Sequence, residues 1–468
     1  MLLTLLPTSA LAVVIWLALQ RLTKRFTQRN LDMPYLSFSD GDNSAQRYAQ
    51  QSVRLLKQGY EQYSKKGQPF SMFNHTDKSR PIAVLPTRYL VEVRGANATE
   101  LSFSAFLNKQ ACDQLMPKFL PPSHEWTPQG PFMCLLPLAS RLMARVLLGP
   151  ELWDNDEWHA VMNAYFQAGF VSSAHVREHY HPWLRWASRY LNKEVKAIYA
   201  ARRKGRDILK PVVDARLAET RNRSPEPKHG PRFGDGIGWL VDSYLADNKN
   251  VSTDLIMQDL AFLFAASVHS IALTALSILL DLVGHPESMA EIRDEISKVY
   301  AEHQGGTRQS LGALRVLDSF MKESQRFNNF QFNTMQRMAL VDYTFKDGLR
   351  LPAGTSIVIP SRLLGRDPDL HADAAHFDAK RWQRMREQGD AAKFHFASLQ
   401  DDMLPWGSGP HACPGRFLAQ DIIKLIFIHL LTKYDMKYPE GVEGRPHDMP
   451  DNVNLNPNMM AQLLFKER

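Results

Sequence analysis

The chain has 468 residues, of which 44% are hydrophobic, 22% charged and 10% aromatic. That profile excludes a disordered, collagenous or coiled-coil protein and provides enough apolar side chains for a large core. The formal net charge of +7 comes from 56 Lys and Arg scattered among 49 Asp and Glu, with no dense basic block interleaved with aromatics. No nucleic-acid partner is therefore expected, whereas anionic lipid or an acidic protein suits a mild basic excess. Cys112, Cys134 and Cys413 form no CxxC pair. Three cysteines are too few for a disulfide framework, and the spacing excludes a zinc finger.

Residues 1–20 carry no charge, and Arg21, Lys24, Arg25 and Arg29 follow. About 20 uncharged residues are enough to span a bilayer as a helix. The reading adopted is a membrane anchor over 1–20, with a basic flank and linker over 21–45 and a catalytic domain over 46–468. The basic flank then keeps the rest of the chain cytosolic. A cleaved signal peptide and a buried helix are the competing readings. Residues 46–66 carry a helical pattern ending near Gly67, and 80–94 read as short strands around Pro86. From about 100 to 220 the pattern is mostly helical. Residues 221–236, rich in Pro, Gly and Arg, read as a surface connector.

Residues 251–283 are the most apolar stretch of the soluble part, with no Pro or Gly before Gly284. They read as a buried central helix of some 30 residues, with Ser252 or Thr253 as its cap. Residues 286–328 continue helical. Residues 332–360 alternate like strands, with turns at Asp347-Gly348 and Pro352-Ala353-Gly354. Residues 361–400 read as irregular and 416–435 as helical.

The cysteine with chemical neighbours is Cys413, in Leu404-Pro-Trp-Gly-Ser-Gly-Pro-His-Ala-Cys-Pro-Gly-Arg-Phe-Leu-Ala419. Glycines permit tight turns, and a sulfur just before a helix start gains from the helix dipole as a thiolate. Such a sulfur is a nucleophile or a metal ligand; a structural cysteine in a glycine-rich loop is the plainer alternative. The order aromatic-Gly-x-Gly-x-His-x-Cys-x-Gly, then a helix, resembles the haem-binding loop of the cytochrome P450 family, with Trp406 where Phe is usual. Further marks agree. Glu323-Ser-Gln-Arg326 is the only ExxR in the chain, 90 residues before Cys413. Phe377-Asp-Ala-Lys-Arg381 matches the family's later arginine motif. The local wording is most similar to fungal membrane-bound members.

The resemblance implies a mainly α fold with a small β portion, as one P450-like catalytic domain behind a single N-terminal membrane helix. It implies haem b with Cys413 as axial thiolate, in a loop set by Trp406, Gly407 and Gly415. His411 and Arg337 would meet haem propionates, and Ala266 would lie against the ring. Glu323, Arg326 and Arg381 would form a buried network behind the loop. On the central helix, Ala266-Ser-Val-His-Ser270 stands where the family usually carries Ala/Gly-Gly-x-Asp/Glu-Thr. Ser270 would hold a water or dioxygen, and His269 would relay protons; a core histidine bonded to the backbone is the alternative. Phe262, Phe264, Ala265, Phe330 and Phe332 are pocket candidates. The family's Trp-x-x-x-Arg propionate motif has no counterpart, and Arg141 or Arg145 is the substitute expected.

The implied activity is oxidation of a lipophilic substrate, a terpenoid or related fungal secondary metabolite, by a monooxygenase of the endoplasmic reticulum membrane. Electrons would come from an NADPH-cytochrome P450 reductase docking near Lys393, Arg416 and Lys424. The rivals are desaturation, rearrangement or dehydration without net oxygen insertion, and a haem-binding membrane protein without turnover.

Overall fold

A computed structural model describes residues 33–40, 47, 54–55, 58–59, 61–72, 81–84, 86, 120, 123–221, 234–247, 250–303, 307–389, 393–451 and 454–468. The expected anchor over 1–20 lies outside these residues, as do residues 87–119. The chain divides into two compact units, residues 1–101 and 102–468.

The first unit holds one small sheet. Its strands are β1 (Tyr35–Leu36), β2 (Phe70–Met72) and β3 (Ile82–Val84), with β2 central, parallel to β1 and antiparallel to β3. Phe38, Leu55, Phe70 and Met72 form its core.

The second unit is helical, apart from four small sheets. After β4 (Thr127–Gln129) come α1 (Pro131–Leu147), α2 (Asp156–His179), α3 (Ser188–Leu191), α4 (Lys193–Arg221), α5 (Gly236–Ala246) and α6 (Thr253–Val283). Then follow α7 (Pro286–Glu302), α8 (Arg308–Ala313) and α9 (Arg315–Phe327). Antiparallel pairs β5 (Thr334–Met338) with β8 (Ser356–Ile359), and β6 (Tyr343–Thr344) with β7 (Arg350–Leu351), use the two turns read from the sequence. The stretch 361–400, read as irregular, contains α10 (Ser361–Leu364) and α11 (Arg381–Gln388). The chain closes with α12 (Arg416–Lys433), β9 (Tyr434–Lys437), β10 (Met449–Asp451), β11 (Asn454–Asn456) and β12 (Leu463–Glu467). Strand β12 pairs with both β4 and β9, so the C-terminus returns to the start of the helical unit.

Helix α6 organises this unit. Its Ser252 cap accepts the Leu255 N–H, and Gly284 and Pro286 end it. It is apolar on almost every side because α1, α4, α9 and α12 all pack against it. Leu260, Phe264, Ala272, Leu276 and Leu280 are fully buried, each large apolar side chain contributing about 1.5–3 kcal/mol by leaving water. It is also the one helix among the described residues long and apolar enough to cross a membrane. Its second half is buried among the helices around it, whereas Phe262 and Leu263 nearer its start are exposed.

Candidate active site

The Cys413 loop is fixed by its own backbone. Gly407 and Gly409 have φ of +70° and +67°, a left-handed conformation that side chains resist. The Gly407 N–H donates to the Leu404 carbonyl at 3.1 Å, and the Cys413 N–H donates to the Trp406 carbonyl at 2.8 Å. The Arg416 guanidinium donates to the Cys413 carbonyl at 2.8 Å. The Trp406 indole N–H donates to the Phe396 carbonyl at 2.8 Å, and the two rings meet edge-on at 5.4 Å. Cys413 itself is a free, half-buried thiol, three residues before α12.

Behind the loop, Glu323 is fully buried and surrounded by donors. Arg326 reaches its two oxygens at 2.6 and 3.0 Å, and Arg381 approaches at 3.2 Å. The Asp378 N–H donates at 2.9 Å and the Trp382 indole N–H at 3.0 Å. The remaining Arg326 donors go to the carbonyls of Gly365, Ala374 and His376. A side chain at Gly365 would sit 2.6 Å from the Arg326 carbonyl, so glycine is required there.

A second buried carboxylate supports the neighbouring stretch. Asp318 pairs with Lys424 at 2.6 Å and Arg386 at 3.0 Å, and accepts the Phe396 N–H at 3.0 Å. Burial alone would raise its pKa, but Lys424, His395 and Arg386 hold it well below the ordinary carboxylate value. Lys322 donates to the His395 and Ser398 carbonyls. Phe396, the anchor of Trp406, is thereby tied to α9.

Two cavities meet at Cys413. The first, about 140 Å³, lies between α6, α9 and α12 and is lined by Ala266, Ser270, Ile271, Thr274 and Ile278 with Ser324, Asn328, Phe330, Trp406 and Cys413. The second, about 290 Å³, shares Trp406 and Cys413 but is more polar, with Thr334, Arg337, Gly407 and His411 in its wall. Arg337 and His411 make no ion pair among the described residues.

Several expected residues lie elsewhere. His269 is turned about 100° from Ser270 on the helix and is not in the cavity wall. Its ring packs edge-on against Phe166 at 5.5 Å and Phe170 at 5.7 Å, and burial lowers its pKa, so it is a packed ring on another face. Phe264 is core, packed on Trp158 at 5.6 Å, and Phe262 is exposed. Arg141 is occupied by Asp154 at 2.8 Å and by Asp156, and Arg145 lies in the field of Glu151 and Asp235. Neither arginine lines the two cavities. Lys424 is not on the surface; it is buried against Asp318.

Comparison with known proteins agrees with this geometry. The sequence profile of the cytochrome P450 family matches residues 152–465. The chain is 38% identical to cytochrome P450 monooxygenase cheE of Chaetomium globosum, over 93% of this chain and 91% of that protein. The chain belongs to the cytochrome P450 family.

Two further fungal relatives are each 33% identical: cytochrome P450 monooxygenase ccsG of Aspergillus clavatus, over 93% of both chains, and the pyrichalasin C-7 hydroxylase of Pyricularia grisea, over 88% of both. The protein is thus a P450 monooxygenase, an oxidoreductase whose cofactor is haem b held through a cysteine thiolate. The residues around Cys413 fit that group. Ala266, Ile271, Ile278 and Phe330 give the first cavity apolar surface for the macrocycle, and the adjoining polar one has Arg337 and His411 in its wall for the carboxylates. The sequence reading missed Trp382, the further donor to Glu323, and Thr274, which follows Ala266 and Ser270 at helical spacing into the cavity. The i, i+4, i+8 pattern was available for Thr274; nothing local marks Trp382.

Proposed function

We propose that this P450 hydroxylates a bulky lipophilic secondary metabolite, of terpenoid or related type, with Cys413 as the axial haem ligand. The observation that carries the reading is the convergence of both cavities on the Cys413 thiol. A relative named as a C-7 hydroxylase supports hydroxylation over the other outcomes of the chemistry.

When bound, the haem supplies activated oxygen, with the thiolate favouring O–O cleavage. The protein's own residues do the rest. Ala266 leaves space beside the cavity, and Ile271, Ile278 and Phe330 keep it apolar. The Ser270 hydroxyl donates to the Ala266 carbonyl at 2.9 Å or the Ser267 carbonyl at 3.0 Å. Its lone pairs accept from a water in the cavity, and rotation turns its hydrogen towards a guest. His411 and Arg337 take the haem carboxylates. Electrons come from an NADPH-cytochrome P450 reductase that meets a surface including Lys393 and Arg416. The chain is held by residues 1–20 in the endoplasmic reticulum membrane, single-pass, with the catalytic domain, residues 46–468, in the cytosol.

The test is the reduced, carbon-monoxide-bound spectrum of the full chain and of Cys413→Ala. A strongly red-shifted Soret band in the wild type, absent from the variant, is expected. A histidine-type band in the wild type would overturn the axial assignment.

A further inference from the structure

We infer that Thr334 binds a haem carboxylate through its side-chain hydroxyl, taking the place of the arginine that α1 does not provide. The inference rests on the haem-thiolate reading of Cys413.

The first observation is an orphan. Thr334 is 8% exposed, and among the described residues its buried Oγ1 has no hydrogen-bond partner. A buried hydroxyl is normally bonded, because leaving it unpaired forfeits the water it gave up. Thr334 lines the polar cavity that contains Arg337, His411 and Cys413. The unpaired hydroxyl therefore stands in the wall where two cationic or donor side chains also lack an acidic partner.

The second observation explains how it comes to be there. Residues 334 and 337 are three apart, and in a regular strand they would face opposite sides. Strand β5 is not regular. Thr334 pairs with Ile359 and Arg337 with Ile357, so three steps on β5 match two on β8, with a bulge between them. Ile357 and Ile359 share a face, so their partners share one as well. The bulge carries Met335 at φ +54°, a conformation unfavourable for any residue with a side chain. This irregularity brings the Thr334 hydroxyl and the Arg337 guanidinium to one side.

The third observation is what else is missing. Arg141 is held by Asp154 and Asp156, and neither it nor Arg145 lines the cavity. Haem b carries two carboxylates. Arg337, His411 and Thr334 together supply a charged fork, an imidazole and one hydroxyl, a set suited to both.

Haem-loaded full-length wild type, Thr334→Val and Thr334→Ser decide it. Haem loss is followed by transfer to excess apomyoglobin, and the reduced carbon monoxide spectrum is taken alongside. Val keeps the shape without the hydroxyl; Ser keeps the hydroxyl without the methyl. Thr334→Val should lose haem about tenfold faster, as expected for one lost hydrogen bond to a charged group, and Thr334→Ser should match the wild type. With haem dimethyl ester in place of haem, the wild type and Thr334→Val should release at nearly equal rates. Thr334→Ala replaces the Val variant if the latter does not fold. Equal loss of haem from wild type and Thr334→Val overturns the inference. Equally fast loss from the Val and Ser variants also overturns it, since packing would then be the cause. Failure of the Cys413 reading is read separately, from a wild-type spectrum without the thiolate band.

Discussion

Glu323 has one negative charge against two guanidinium groups, whose remaining donors are taken up by backbone carbonyls. Glu323→Gln would leave Arg326 and Arg381 buried without a counter-charge. Removing one partner of a buried pair typically costs about 3–5 kcal/mol, so urea midpoints should fall accordingly, with haem content falling too. Trp382→Phe removes only the indole N–H, and about 1.5–3 kcal/mol is expected for a hydrogen bond to a charged group. A smaller loss for Glu323→Gln than for Trp382→Phe would contradict this order. Lys322 offers a pH test. Burial pushes its pKa down from 10.5 to about 7, partly opposed by Asp318. Between those values the unfolded chain holds a proton that the native chain does not, so stability from this group rises with pH. The gap in unfolding free energy between wild type and Lys322→Met should move in favour of the wild type by about 1.4 kcal/mol per pH unit from 7.5 to 9. A gap independent of pH would show that Lys322 stays charged in the fold. At this scale Cys413, Glu323 and Arg326 were legible, because each sits in a short local pattern. The role of Trp382 was not, because it follows Arg381 in the arginine motif but nothing there marks its indole N–H as a donor to Glu323.

Among elements, α6 was legible in length and cap, because an uninterrupted apolar run needs no tertiary information. Which way its polar side chains face was not. His269 and Ser270 are neighbours in sequence, yet one meets aromatic rings of α2 and the other meets the cavity. Helix α11 was missed for the opposite reason. RWQRMREQ has no apolar stripe, and its buried residues are Arg381, Trp382 and Arg386, held by carboxylates on α9. Asp281 makes a similar tie at the far end of α6. It is fully buried, accepts from Ser324, from Asn328 at 2.8 Å and from Arg445 at 2.9 Å, and so joins α6 to α9 and to the loop before β10. Asp281→Ala should cost about 1.5–3 kcal/mol through the lost charged hydrogen bonds, because Arg445 keeps its ion pair with Asp448 at 2.8 Å. Pairing Asp281→Ala with Arg445→Met should cost less than the sum of the two single losses in urea melts. A double variant as unstable as the sum of its parts would mean that the two side chains act independently.

For the whole molecule, the proposed membrane attachment has two possible seats, because two stretches meet the length and hydropathy required. Residues 1–20 are uncharged and followed by four basic residues within nine positions. Helix α6 is 31 residues long, with mean hydropathy of 2.0 in its most apolar window. Composition alone does not separate them; packing does, since α6 is covered on several sides by other helices and carries Asp281 bonded inside the core. Extracting α6 into lipid would expose that carboxylate to hydrocarbon, where every unsatisfied polar group costs several kcal/mol. A chain lacking residues 1–29 should therefore move from the membrane pellet to the soluble fraction, with its reduced carbon monoxide spectrum unchanged. The full chain should remain in the pellet after an alkaline carbonate wash. A truncated chain that still resists the wash would locate the attachment within residues 30–468 and remove the single-pass topology. A full chain that washes off would remove the anchor, while the reading of Cys413 would stand, because no described residue in the wall of either cavity lies before position 266.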